Sequence, residues 1–318
     1  MILVTGGTGF IGGHLLERLA ASGDTVRALV RRKTPLPAGV EPVSGDLATG
    51  AGIDDAIRGA GAVIHLAGVT KALRTADYYT GNMRATENLA RALVGRPVRF
   101  VHVSSLAAVG PSPDGKPVAE DIEPWPITHY GKSKLEAEHI VRHLTPDAVI
   151  VRPPVVYGPR DIDVFVLLQS ISRGLVLEIA GGERWFSAIY VKDLCEGLLA
   201  AARTPAAEGR DYFLAHAEPV SWSAFGATAA RIMRRTPHVV KMPAALAQLA
   251  GAAAEVWARF RGKPGILSRE KVREARATAW TCDTRRASAE LGFTAPTGIE
   301  AGLAATLAWY KEARWLWY

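Results

Sequence analysis

Short runs of consecutive apolar residues alternate, through the first half of the chain, with longer stretches in which apolar positions recur every three or four residues. The short runs, bounded by Gly, Pro or Asp, read as strands, and the longer 3.6-period segments read as helices. The strands predicted on this ground are Ile2 to Thr5, Thr25 to Arg31, Val40 to Ser44, Ala62 to Leu66, Val98 to Ser104 and Ala148 to Arg152. Between them fall helices over Phe10 to Ser22, Ala51 to Arg58, Asp77 to Val94 and Tyr130 to His143. Strands this apolar need cover on both faces, so the pattern predicts an α/β fold, a doubly wound parallel sheet of the Rossmann kind.

Residues 1–158 form the predicted dinucleotide-binding domain, which ends where Pro153-Pro154 and Gly158-Pro159 break the alternation. A strand over Ser187 to Tyr190, a helix over Val191 to Ala202 and a strand over Tyr212 to Ala215 return 187–216 to that domain. Segments 159–186 and 217–318 are expected to build a smaller, mostly helical lobe over the carboxyl ends of the strands, where such folds bind ligands.

Composition narrows the function classes. With 48% hydrophobic and 22% charged residues the chain is an ordinary globular protein. It opens on a strand-like Met-Ile-Leu-Val-Thr without the regions of an export leader, and its two cysteines, Cys195 and Cys282, lack metal or redox spacing. A cytoplasmic protein without a metal centre is expected. The net charge of +7 is spread out, with Arg31-Arg32-Lys33 the longest basic cluster, so no nucleic-acid partner is expected. The Ala- and Leu-rich stretch from Pro243 reaches Glu255 too soon to span a bilayer and reads as a buried or pocket-lining helix, which leaves no membrane span.

Chemistry-bearing residues cluster at predicted strand ends. Thr5-Gly-Gly-Thr-Gly-Phe-Ile-Gly12 joins the first strand to the first helix. Gly6 suits a sharp turn, Gly9 a close approach to a pyrophosphate, and Gly12 close packing of helix on strand, with Thr8, Phe10 and Ile11 completing the turn. After the second strand, where a carboxylate would grip the ribose of NAD, stand Arg31 and Arg32, which suit the 2′-phosphate of NADP. NADP(H) is therefore the preferred cofactor, with NAD(H) as the alternative. Asp46 and Leu47 follow the third strand, and Leu66, Ala67 and Gly68 the fourth. Tyr130 and Lys134, four apart on one helix face, form an acid–base pair in which the ammonium lowers the phenol's pKa. Ser104 and Ser105 end the fifth strand, where a hydroxyl can donate to a substrate oxygen.

Together with Asn82, Thr86 and Asn88, Arg152 to Pro159, and Tyr190-Val-Lys-Asp-Leu194, these ordered motifs make the chain resemble the extended short-chain dehydrogenases/reductases, the epimerase/dehydratase group. That resemblance implies Tyr130 as general acid/base, Lys134 as its partner and ribose ligand, and Ser105, with Ser104 as substitute, as the group polarising the substrate carbonyl. It also implies that Asn82 orders the lysine and a relay water, and that Val103, Pro153 and Val156 border the nicotinamide. A homodimer through the Asn82 and Tyr130 helices follows from the same likeness.

Relatives that bind nucleotide sugars carry an asparagine where this chain has Val155, and an Arg-Asp pair where it has Phe186-Ser187. Arg184 lies two places away. An apolar small-molecule substrate, bordered by Val155, Trp185 and Phe186, is therefore expected, as in the dihydroflavonol reductase and 3β-hydroxysteroid dehydrogenase branch. The alternatives are a nucleotide-sugar epimerase or dehydratase, using Arg160, Arg273 or Arg276 for phosphate, and a non-catalytic NADP-binding sensor or assembly subunit. The last would not need Ser105, Tyr130 and Lys134 together. The tail from Trp309 to Tyr318, with five aromatics in ten positions, is expected to pack on its own domain.

Overall fold

A computed structural model describes all 318 residues. Its strands are β1 (Ile2–Thr5), β2 (Val26–Val30), β3 (Val40–Ser44), β4 (Ala62–His65), β5 (Arg99–Val103), β6 (Val149–Val151), β7 (Val155–Tyr157), β8 (Leu175–Ile179), β9 (Trp185–Phe186), β10 (Ala188–Tyr190), β11 (Asp211–Tyr212), β12 (Val220–Ser221), β13 (His238–Met242) and β14 (Ala279–Trp280). Seven of them form one sheet in the order β11-β6-β5-β4-β1-β2-β3, parallel throughout. The first six match the predicted strands to within one residue at each end.

Period-2 alternation sends neighbouring side chains of each strand to opposite cores. Leu3, Val63, Phe100 and Ile150 pack with the helices Ile53–Ile57 and Ala85–Leu93. Val4, Ile64, Val101 and Val149 pack with Leu15, Leu16 and Leu19 of the helix Phe10–Ala21 and with the helix Val191–Arg203. Each such side chain, fully buried, contributes about 1.5–3 kcal/mol. Strand order reverses between β1 and β4, and the crevice at their carboxyl ends is where a doubly wound sheet binds its ligand.

Beside its helices the second lobe carries two small sheets, β12-β9-β14 and β13-β8, and β10 pairs with β7 apart from the main sheet. β9, β12 and β14, of two residues each, give too short a run for periodicity to register. Phe186, expected beside a substrate, is buried in β9 and stacks on Trp222 with centroids 3.9 Å apart. The tail does pack on its own lobe: Trp315 stacks on Tyr310 at 5.5 Å, and Leu316 is buried. The stretch after Pro243 is the helix Ala244–Arg261, which lines a cleft with Gln248, Glu255, Ala258 and Arg259 rather than being buried, since Leu249, Trp257 and Phe260 are exposed.

A buried ion network pins the helix His129–Leu144 to the sheet edge. Arg152, just past β6, holds Glu138 at 2.7 Å and Asp211 of β11 at 2.9 Å, and donates to the Glu120 carbonyl. Arg142 pairs with the same Asp211. Removing one partner of such a network strands the opposite charges in a dry site. Arg152→Ala is expected to lose about 3–5 kcal/mol of unfolding free energy in urea titration at neutral pH. A loss below about 1 kcal/mol would show that the network is not structural.

Candidate active site

Gly6 opens the turn after β1 with φ +72, and a Cβ there would lie 2.6 Å from the Ala67 nitrogen. At Gly12 a Cβ would meet the Gly6 carbonyl oxygen at 2.2 Å, so the helix Phe10–Ala21 starts tight against the turn. Thr8 and Gly9 sit exposed at the rim, and the helix has no acidic residue in its first turn. Its free amide donors and partial positive charge suit an anionic phosphate. The loop therefore fits a dinucleotide pyrophosphate.

The other cofactor candidates divide by what they already touch. β2 runs in register beside β1, Leu29 opposite Thr5, which brings Arg31 and Arg32 to the edge of the glycine turn. Both are exposed and neither has a hydrogen-bonding or ionic partner. The Asp46 carboxylate accepts from the Ala48 amide at 2.9 Å and so shapes its own turn. Leu47 and Val103 are buried side chains whose carbonyls are taken by Asn88 and Lys134, so they act as walls. Leu66 packs partly buried against one core and Ala67 against the other. The Pro153 carbonyl accepts from Leu106, and Val155 and Val156 lie in β7.

The helix His129–Leu144 carries the reacting groups, and four contacts fix its position. Thr128 caps it by accepting from the Gly131 amide. Gly131, which the sequence reading passed over, sits so close to the Ala107 carbonyl that a Cβ would lie 2.2 Å away. A glycine inside a helix costs about 1 kcal/mol against alanine, so its presence there was the available signal. Lys134 is buried and donates to the Val103 carbonyl at the end of β5 at 2.7 Å. Glu270 accepts from the His129 amide at 2.8 Å, supplying the negative charge that this helix lacks in its own first turn.

Tyr130 and Ser105 meet at the same strand end. Burial pushes the Tyr130 phenol above its usual value, and hydrogen bonding with Ser105 pulls the other way. This corrects the expectation of a phenol lowered by Lys134: desolvation raises it, and the cation that opposes the shift is Lys271. Ser105 also caps the short helix Leu106–Val109 by accepting from the Ala107 amide at 3.1 Å. Ser104 is buried without a partner, away from this pairing.

Asn82 lies in a π-helical segment, Tyr79–Arg84, a kind of bulge found often at functional sites. Its amide accepts from the Val69 nitrogen at 2.7 Å and donates to the Val69 carbonyl and to Ser133 at 2.8 Å. Both amide protons are spent, so Asn82 orders the catalytic helix through Ser133, with no bond to Lys134 as the resemblance had implied. Gly68 separates the two: a Cβ there would lie 3.0 Å from the Asn82 oxygen and 3.9 Å from the Lys134 nitrogen. Beneath them His65, held by Thr5 and Thr86, is driven down to about 3 by burial and then by Lys134.

The substrate candidates fare less well. The Arg184 guanidinium folds back onto the carbonyls of Ile179, Ala180 and Gly182. Arg160 is held by Glu17 through two bonds of 2.7 Å, and Arg273 donates to the Ile127 carbonyl. A cleft of about 420 Å³ instead opens beside Tyr130 between residues 70–78 and 248–273, reaching Tyr78 and His129. The Tyr78 ring lies 6.3 Å from that of Tyr130. These lining residues come from segments distant in sequence and carry no motif.

Comparison with known proteins agrees with this geometry. Residues 2–215 match the NAD dependent epimerase/dehydratase family. The "Ceramide reductase" of Caulobacter vibrioides (strain NA1000 / CB15N) is 32% identical over 320 residues, covering 99% of this chain and 96% of that protein. The "4-hydroxy-2-methyl-3-oxo-4-farnesyl-3,4-dihydroquinoline-1-oxide ketoreductase" of Stigmatella aurantiaca is 33% identical over 70% of each chain. The solved structure of MoeE5 in complex with UDP-glucose and NAD superposes with a TM-score of 0.80 at 27% identity, over 98% of this chain and 99% of that one.

Burial moves Lys134 down to about 8 from the usual 10.5, with Glu138 opposing. Because the folded-state value is the lower one, its stabilising contribution is complete above pH 10.5 and is lost as pH falls through about 8. Relative to Lys134→Met, the wild-type protein is therefore expected to gain stability between these values, by up to about 1.4 kcal/mol per pH unit. Denaturant titrations of both proteins across that range check it; a flat difference would contradict the buried, down-shifted ammonium.

Proposed function

The chain belongs to the NAD dependent epimerase/dehydratase family, among the extended short-chain dehydrogenases, and from that premise we propose that it is an NADP-dependent reductase of a ketone on a long-chain lipid of the ceramide kind. The observation that carries the proton-transfer role is the pairing of the Tyr130 phenol with Ser105 at the end of β5. A phenol raised by burial keeps its proton at neutral pH and serves as an acid. Ser105 donates to the carbonyl oxygen, Tyr130 delivers its proton to that oxygen as the alcohol forms, and solvent restores the phenol. Lys134, on the same helix face, supplies positive charge toward the transient phenolate. NADPH, when bound, supplies the hydride that reduces the carbonyl carbon.

The lipid reading is supported by the missing diphosphate clamp. Val155, the self-bonded Arg184 and the paired Arg160 leave no free cation at those places. Of the six Lys and Arg side chains around the cleft, Lys71 pairs with Asp163, Arg74 with Asp77, Arg269 with Glu255 and Lys271 with Glu274, whereas Arg259 has no partner and Arg273 only the Ile127 carbonyl. A lining in which four of the six cations are already matched suits a neutral polar head better than a diphosphate. Two relatives carry names of a lipid and of a farnesylated ketone, over most of this chain. A nucleotide-sugar epimerase is the second reading, favoured by the likeness to the UDP-glucose complex.

Tyr130→Phe is expected to lower NADPH-dependent ketone reduction at least about 100-fold while cofactor affinity stays within about twofold; activity near wild type would remove Tyr130 from the proton-transfer role. The Arg31→Ala/Arg32→Ala double variant is expected to bind NADPH roughly 10- to 100-fold more weakly with NADH little changed. Calorimetric titration of both cofactors checks this, and an equal loss for the two would contradict a 2′-phosphate contact.

A further inference from the structure

We infer that the outer face of the helix Ala244–Arg261 is a docking surface for an anionic lipid bilayer, seating the cleft at the membrane surface. It rests on the lipid-substrate reading for its purpose, although the surface itself is read from this helix alone. Leu246, Leu249, Val256, Trp257 and Phe260 are 54%, 65%, 66%, 63% and 90% exposed. At about 100° per residue they fall, with Ala245 and Ala253, within an arc of roughly 120° that contains no polar side chain. A water-facing helix carries its charged residues on that side. Here the orientation is fixed from within: Ala247, Gly251 and Ala258 are buried, and a Cβ on Gly251 would lie 3.0 Å from the Ser268 carbonyl oxygen. Larger residues could not turn inward without lifting the helix off its seat.

Charge selects the occupant. Lys241 precedes the helix and Arg259, Arg261 and Lys263 gather at its end, whereas Glu255, the one acidic residue among 241–263, is tied to Arg269 at 2.8 Å. An apolar stripe with Trp and Phe, rimmed by Arg and Lys, is the composition of a helix lying in the headgroup plane of an anionic leaflet. No helix is long and apolar enough to cross a membrane, so docking would be in plane. A second copy of the chain fits worse, because two-fold pairing of antiparallel helices would set Lys241 of one against Arg261 and Lys263 of the other. Exposed Ile266 and Leu267 continue the apolar surface past the helix and also line the cleft. A lipid could thus pass from the bilayer into the cleft along these apolar side chains.

The full-length protein should float with phosphatidylcholine vesicles containing phosphatidylglycerol, bind much less to phosphatidylcholine alone, and dissociate as salt is raised. Leu249→Glu/Trp257→Glu/Phe260→Glu is expected to weaken vesicle binding about tenfold or more, and Arg261→Glu/Lys263→Glu to abolish the preference for phosphatidylglycerol. None of these five residues lines the cleft, so NADPH binding and turnover of a short, water-soluble ketone should match wild type, which also reports that the variants fold. Leu249→Ser/Trp257→Ser gives a milder second test. Absence of vesicle binding by the wild type, or binding unchanged in the triple variant, overturns the docking surface. So does a wild-type dimer that the triple variant dissociates without any vesicle binding. Reduction of lipid in detergent micelles without vesicle binding overturns docking alone; vesicle binding with turnover only of nucleotide sugars overturns the lipid reading and leaves docking intact.

Discussion

The Lys134 ammonium, buried and held by the Val103 carbonyl at 2.7 Å, ties the catalytic helix to the end of β5, and the rest of the site takes its position from that tie. Around it, Gly131 lets the helix close onto Ala107, Asn82 reaches Ser133 from the π-helical segment, and Arg152 holds Glu138 further along. Four contacts from four separate segments thus fix one helix over a strand end. The cost is a cation desolvated enough to fall to about 8 and a phenol pushed up beside it. Both shifts come from excluding water, which is also what makes a proton donor effective toward a developing alkoxide.

The Rossmann half was legible because its strands are buried on both faces and read as unbroken apolar runs, each ending on a residue type that the chemistry needs. The glycine turn and Ser105 lie at such ends, and the helix that carries Tyr130 and Lys134 is tied to one of them. The substrate side was not legible. Its strands are too short for alternation to register, as β9 and β12 show with two residues each. Arg184 and Phe186 were placed by sequence offset, yet their surroundings turn one onto its own loop and the other into the core. Tyr78 and Lys271 meet the cleft only through folding of distant segments. Asn82 was legible as a residue but not as a partner, because an amide on a helix face can bond in several directions.

In the proposed reading, the paired charges around the cleft and one unmatched surface beside it suit an amphipathic ligand better than a diphosphate. Around the cleft four of the six Lys and Arg side chains already have an acid, which weakens the field available to a bound anion. The free positive charge lies instead at the ends of the helix Ala244–Arg261, beside its apolar stripe. A single amphipathic ligand would satisfy both places, with its polar head in the cleft and its chains toward the bilayer.

Reduction is separated from epimerisation most directly by stoichiometry: purified protein with NADPH and a keto-ceramide in mixed micelles, following NADPH by absorbance and lipid products by mass spectrometry. A reductase that uses Tyr130 as its acid yields one secondary alcohol for each NADPH consumed. Lipid left unchanged, while a UDP-sugar is interconverted with no net change in cofactor, would contradict it.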